Sequence, residues 1–158
     1  MSILKKIFRY PIKGLSGESL NETLLEKDQV LSGDREYAFA RSQVSFDEKN
    51  PVYLRKTNFL ALVKDEKLAK LSTEFNSKSK RLIIKVDKKT VLDEMLINEI
   101  NINKVEVFFQ KYLNLGSNNK PKLVQGTKYK NDKNLKHSFS DLPEKAISII
   151  NLNTIFDF

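Results

Sequence analysis

Three short stretches place cations where an oxyanion or phosphate could be held. Lys13 lies in Pro11-Ile12-Lys13-Gly14-Leu15-Ser16-Gly17, a loop with two glycines and a proline. Free backbone N–H groups in such a loop can join the ammonium around one anion. Gly33-Asp34-Arg35 sets an acid and an arginine just before an aromatic-rich run. The guanidinium fork suits two phosphate oxygens, and Asp34 can orient it or shape the turn. Arg55-Lys56-Thr57 opens a further apolar stretch. Each has a plain alternative: a solvated loop lysine, a structural ion pair and an ordinary charged edge. Residue type alone leaves both sides open. His137 with Ser138, Ser140 and Asp141 has the vocabulary of a Ser/His/Asp triad, but its tight spacing does not establish triad geometry. A structural or ligand-orienting histidine is the expectation. Asp28, Asp34 and Asp47 match no metal-binding loop, and no Walker or dinucleotide glycine pattern occurs.

The elements that must position these groups follow from periodicity. Ile3 to Tyr10 reads as a strand whose ladder ends at Pro11, and Ser19 to Leu25 as a second. After a turn at Gln29 to Gly33, Arg35, Tyr37, Phe39 and Arg41 alternate with smaller residues, which suits a sheet with one tightly packed face. Ser42 to Pro51 reads as a polar connection, and Val52 to Val63 as extended chain centred on Phe59 to Val63. Asp65 to Phe75 suits a short helix, with Leu68, Leu71 and Phe75 on one face. Arg81 to Val86 is the plainest strand. Val105, Phe108, Phe109, Tyr112 and Leu113 form one helical stripe, with Asn103 and Glu106 as a capping pair and Gly116 as terminator. Lys120 to His137 holds six lysines against Asp132 and reads as a loop or basic edge; Ala146 to Leu152 then reads as a buried-type strand.

The chain has 158 residues, enough for one domain or one and a fraction, and its ten Phe and five Tyr supply a bulky core. No cysteine is present, which excludes disulfides, thiolate metal ligands and cysteine nucleophiles within the chain. A single histidine excludes a multi-histidine metal site in one chain. No window approaches eighteen apolar residues, and the first eight residues are not a secretory signal, so a cytoplasmic location is expected. The formal charge is +8, but 23 of the 28 basic residues are lysine and 14 residues are asparagine. Biased codon usage explains that balance as easily as selection for anion binding does.

In order, Tyr10-Pro11-Ile12-Lys13-Gly14-Leu15-Ser16-Gly17-Glu18, Gly33-Asp34-Arg35-Glu36-Tyr37-Ala38-Phe39, and Leu54-Arg55-Lys56-Thr57-Asn58-Phe59-Leu60-Ala61-Leu62 resemble the N-terminal β-barrel region of MOSC proteins, relatives of the molybdenum cofactor sulfurase C-terminal domain. Phe108 to Leu113 falls where that family has a helix, and His137-Ser138-Phe139-Ser140-Asp141 with Ile147 to Asn151 resembles the entry to the MOSC domain proper.

The resemblance implies an α+β, β-rich fold: a MOSC-type barrel-like region with one or two packed helices over 1–116, a basic linker over 117–136, and the first strand of an incomplete MOSC barrel in 137–158. It implies a molybdenum cofactor (molybdopterin) held near its phosphate or pterin by Lys13 and Arg35, with Lys56 beside them. Gly14 stands where serine is more common, so Ser16 would supply any hydroxyl contact. Pyridoxal phosphate binding is a further family-level association. The intact parent would be an oxidoreductase or sulfurtransferase acting on a small-molecule substrate with an electron-transfer partner. Because family members carry a metal-ligating cysteine further on, the expectation is a fragment, inactive alone and unlike its parent unable to hold the cofactor, whose partner is the missing C-terminal half. Two rivals stand beside this: a basic nucleic-acid-binding β-domain, and a non-catalytic module that pairs through its C-terminal strand.

Overall fold

A computed structural model describes residues 3–127, 136–144 and 146–151. Strand β3 (Tyr37–Ala40) organises the molecule, because all four of its residues are buried. One packed face was expected there; in fact both faces are covered. Tyr37 and Phe39 enter a main core with Ile12, Leu60, Leu68, Leu82, Ile84, Val105 and Phe109. Ala38 and Ala40 enter a second core with Phe59, Val124 and Phe139. The small row lets Phe59 and Phe139 approach the sheet closely.

Both edges of β3 are occupied. On one side it pairs antiparallel with β7 (Lys122–Gln125). On the other, Tyr37 N donates to Pro11 O and accepts at its own carbonyl from Lys13 N, at 3.1 and 2.8 Å, while Leu60 N donates to Phe39 O at 2.8 Å. The loop bearing Lys13 is thus hydrogen-bonded onto β3. It follows β1 (Ile7–Arg9), which pairs with β2 (Glu18–Leu20) and stops before Pro11 as expected. β7 lies inside the stretch expected as a linker, so part of that stretch is core. Its outward amides are closed by side chains: Leu123 N donates to Glu106 Oε1 and Gln125 N to Glu48 Oε1, at 2.9 and 2.8 Å.

A three-stranded antiparallel sheet, β4 (Leu71–Asn76), β5 (Arg81–Val86) and β6 (Lys89–Met95), covers the main core together with α1 (Glu99–Tyr112). The helix expected over Asp65 to Phe75 is instead a 3₁₀ turn at Glu66–Lys70 followed by β4. Leu71 and Phe75 satisfy a helical spacing and a strand spacing alike. Their cross-strand partners decide the matter, with Leu71, Thr73 and Phe75 opposite Val86, Ile84 and Leu82.

The N-cap of helix α1 lies five residues before the expected one. Asn98 is the N-cap, its side chain accepting from Asn101 N at 2.9 Å, whereas Asn103 receives Lys120 Nζ. The helix ends at Tyr112, and its terminator is Asn114, not Gly116. Asn114 has φ +55°, Asn114 N donates to Lys111 O, and Leu115 N donates to Gln110 O, which together form a Schellman motif. The expected C-terminal strand is not formed over residues 146–151, which are exposed, with Ile149 at 90%; Leu152 lies outside the described residues. The observed class is therefore α+β and β-rich, with small antiparallel sheets and one α-helix among the described residues. No helix among these residues is long and apolar enough to cross a membrane.

Candidate functional site

Lys13 is held by the loop that β3 anchors, and its side chain is only 4% exposed. Gly14 makes this placement possible. It has φ +79°, and a Cβ there would meet Leu60 O at 2.7 Å. A serine after Lys13 would be strained and would collide with the main chain. Lys13 Nζ donates to Phe139 O at 2.9 Å and to Asp141 Oδ1. Burial pushes the Lys13 ammonium below the ordinary lysine value; Asp141 opposes that push, and Arg35 and Lys56 add to it.

Arg35 sits at the turn into β3 with φ +47°. Its main chain is fixed from two sides, Arg35 N donating to Tyr10 O at 2.6 Å and Phe139 N donating to Arg35 O at 2.9 Å. The guanidinium pairs with Asp34 Oδ2 at 2.5 Å and lies over the Tyr10 ring, 5.4 Å from its centroid. Asp34 Oδ1 accepts from Tyr10 N at 2.8 Å, so the acid shapes the turn and orients the arginine together. Lys56 is exposed and opens a 3₁₀ turn at Lys56–Asn58.

The residue that sequence reasoning missed in this role is Asp141. Burial works to raise its carboxyl, but the hydrogen bond and charge of Lys13, followed by the charges of Arg35 and Lys56, hold it below the usual aspartate value. Of the four expected ligand-contact residues, Lys13 thus bonds this carboxylate directly, while the charges of Arg35 and Lys56 reach it. Asp141 is brought there by Phe139, which is buried against Phe46, Phe59 and the His137 ring. Tyr53 OH donates to Asp141 O at 3.0 Å. Asp141 lies 128 residues from Lys13, and no local signal marks the pair.

Ser16 is placed elsewhere. Its hydroxyl donates to Leu71 O at 3.4 Å and accepts from Thr73 N at 3.0 Å, which fastens the loop to the edge of β4. A groove of about 510 Å³ lies beside that junction, lined by Ser16, Thr73, Phe75, Asn76 and Arg81 among others. Its charged members are taken up by neighbours, Arg81 by Asp93, Glu74 by Lys85 and Glu18 by Arg9. The serines near His137 also go their own ways, Ser138 Oγ donating to Asp34 O and Ser140 Oγ to Leu142 O. Buried His137 packs beside Phe46 and Phe139.

Chemically, the buried ammonium of Lys13 and the oriented guanidinium of Arg35 can bind and orient an anion. No group of three or more histidine or acidic side chains among the described residues is placed to hold a metal ion. Comparison with protein-family models, with curated proteins and with solved structures gives no match to this chain.

Proposed function

We propose that Lys13, Arg35 and Lys56 form the phosphate seat of a molybdenum-cofactor-binding protein, and that the chain is the N-terminal portion of a MOSC protein. One observation carries this: the buried ammonium of Lys13 is bonded to Asp141 beside the oriented Arg35–Asp34 pair, and the charges of Arg35 and Lys56 also reach that carboxylate. A buried ammonium and an oriented guanidinium are charge-assisted donors suited to phosphate oxygens. The donor set fits the phosphate end of a pterin-based cofactor. At the metal end the chain offers no thiolate, since it holds no cysteine, so such a ligand would come from outside these 158 residues. When bound, the cofactor supplies oxygen-atom or sulfur transfer to a small substrate, with an electron-transfer partner in the redox case. Lys13 and Arg35 retain and orient it.

The test is cofactor content. The protein, produced together with any adjoining MOSC half that its gene encodes, is assayed for molybdenum by mass spectrometry and for pterin by fluorescence after oxidative release. Lys13→Ala and Arg35→Ala are each expected to lower both at least about tenfold, the loss of one charge-assisted contact. Unchanged content in both variants would defeat the assignment.

A second reading, a module that pairs through its C-terminal segment, is favoured by the exposure of Ile147, Ile149 and Ile150. It expects a stoichiometric complex that is lost when residues 146–151 are deleted, read by light scattering.

A further inference from the structure

Charge counting around Lys13 points to a gate. Lys13 is bonded to Asp141 and Arg35 to Asp34, and the charge of exposed Lys56 also reaches Asp141, so three cations stand against two carboxylates. Asp34 is nearly buried and bonded to both Tyr10 N and Arg35, so it is fixed. Asp141 differs. Its side chain is 56% exposed although its partner Lys13 is 4% exposed. The ammonium is enclosed and bonded also to Phe139 O, whereas the carboxylate can turn into water at little desolvation cost. Its main chain is meanwhile held by contacts that do not involve the carboxylate: Tyr53 OH on Asp141 O, and Phe139 anchored in the second core.

With Asp141 seated, the cluster carries one surplus positive charge. With Asp141 turned out, it carries two, the match for a phosphomonoester dianion. We propose that Asp141 is a built-in competitor for this site, seated on Lys13 in the ligand-free chain and displaced when a phosphate dianion arrives. This rests on the phosphate-seat reading above and adds its regulation: the site is self-inhibited. Phe139 O remains on Lys13 throughout, so the ammonium keeps one acceptor while the other is exchanged. Weak anions that cannot outcompete the tethered carboxylate are excluded.

The experiment titrates inorganic phosphate into the full chain at fixed ionic strength, by calorimetry or ³¹P line broadening, for wild type, Asp141→Asn and Asp141→Ser. Both variants are checked for a native melting transition, and either suffices. Loss of a charge-assisted competitor is expected to tighten phosphate binding about tenfold or more. Adding Lys13→Gln to the variant is expected to remove that gain. Equal affinity in wild type and variant overturns the gate and leaves the phosphate seat standing. Weaker binding in the variant overturns it too, since Asp141 would then be positioning Lys13. A gain that survives Lys13→Gln places the effect elsewhere and overturns it. No binding by any protein overturns the seat and the gate together.

Discussion

Arg35 is asked to do two things that conflict. Its backbone lies at φ +47°, a conformation that costs a residue with a Cβ about 1–2 kcal/mol, yet its guanidinium is the rigid fork of the site. Arg35→Gly is therefore expected to be more stable than Arg35→Ala by roughly 1 kcal/mol, while both lose anion binding equally. Urea denaturation reads the first and phosphate titration the second; equal stability of the two variants would mean the left-handed turn carries no strain. Lys13 and Arg35 were legible as candidates because glycine stands beside each sequence position that needs a tight loop. Asp141 was not, because its meaning comes from a contact made by folding across 128 residues. Ser16 was expected, through the resemblance, to stand in for a serine hydroxyl at position 14, but its hydroxyl lies at a strand edge where main-chain groups of β4 engage it.

Among the elements, α1 shows how a cap is misread when asparagines are plentiful. Asn98 and Asn103 each stand two residues before an apolar one, Ile100 and Val105, but of the two Asn98 is the one that accepts from the amide three positions on. Asn98→Ala is expected to cost about 1 kcal/mol and Asn103→Ala less than about 0.5 kcal/mol. Thermal melting of the two variants checks this, and the reverse order would reassign the start of the helix. The apolar stripe of α1, β5 and the stop at Pro11 could all be read in advance, since each has an unambiguous period or an obligate breaker. β6 could not. Its hairpin turn is Asp87-Lys88, both at positive φ (47° and 67°), a geometry normally announced by Asn-Gly. Without that signal, Lys89 to Met95 carries too little alternation to stand out. β7 was hidden by its lysine-rich surroundings, although Leu123 and Val124 pair directly with the most buried strand in the molecule.

At the scale of the whole molecule, Lys13 joins an N-terminal loop to a C-terminal segment through Phe139 O and Asp141. The pH dependence of that tie has a definite sign. The Asp141 carboxyl is held below its unfolded value, so its contribution is complete above the ordinary aspartate value near 4 and is lost as pH falls through the lower folded value. The Lys13 ammonium runs the other way: burial lowers its value, so charging it costs stability at all pH below that lowered value and the cost is relieved as pH rises through it. Since the Asp141 side chain is more than half exposed, its share is small, under about 1 kcal/mol. Wild type is expected to show a steeper fall in melting temperature than Asp141→Asn from pH 4 downward. Parallel curves from pH 6 to pH 2 would remove Asp141 from the acid response.

The carboxylates on β7 have a different consequence. A newcomer seeking to extend the β3–β7 sheet would meet main-chain donors at Leu123 and Gln125 already engaged by Glu106 and Glu48. Its own carbonyl oxygens would find neither of these two donors free. The sheet therefore has a sealed border: it cannot serve as a template on which copies of the chain, or stray extended peptides, polymerise.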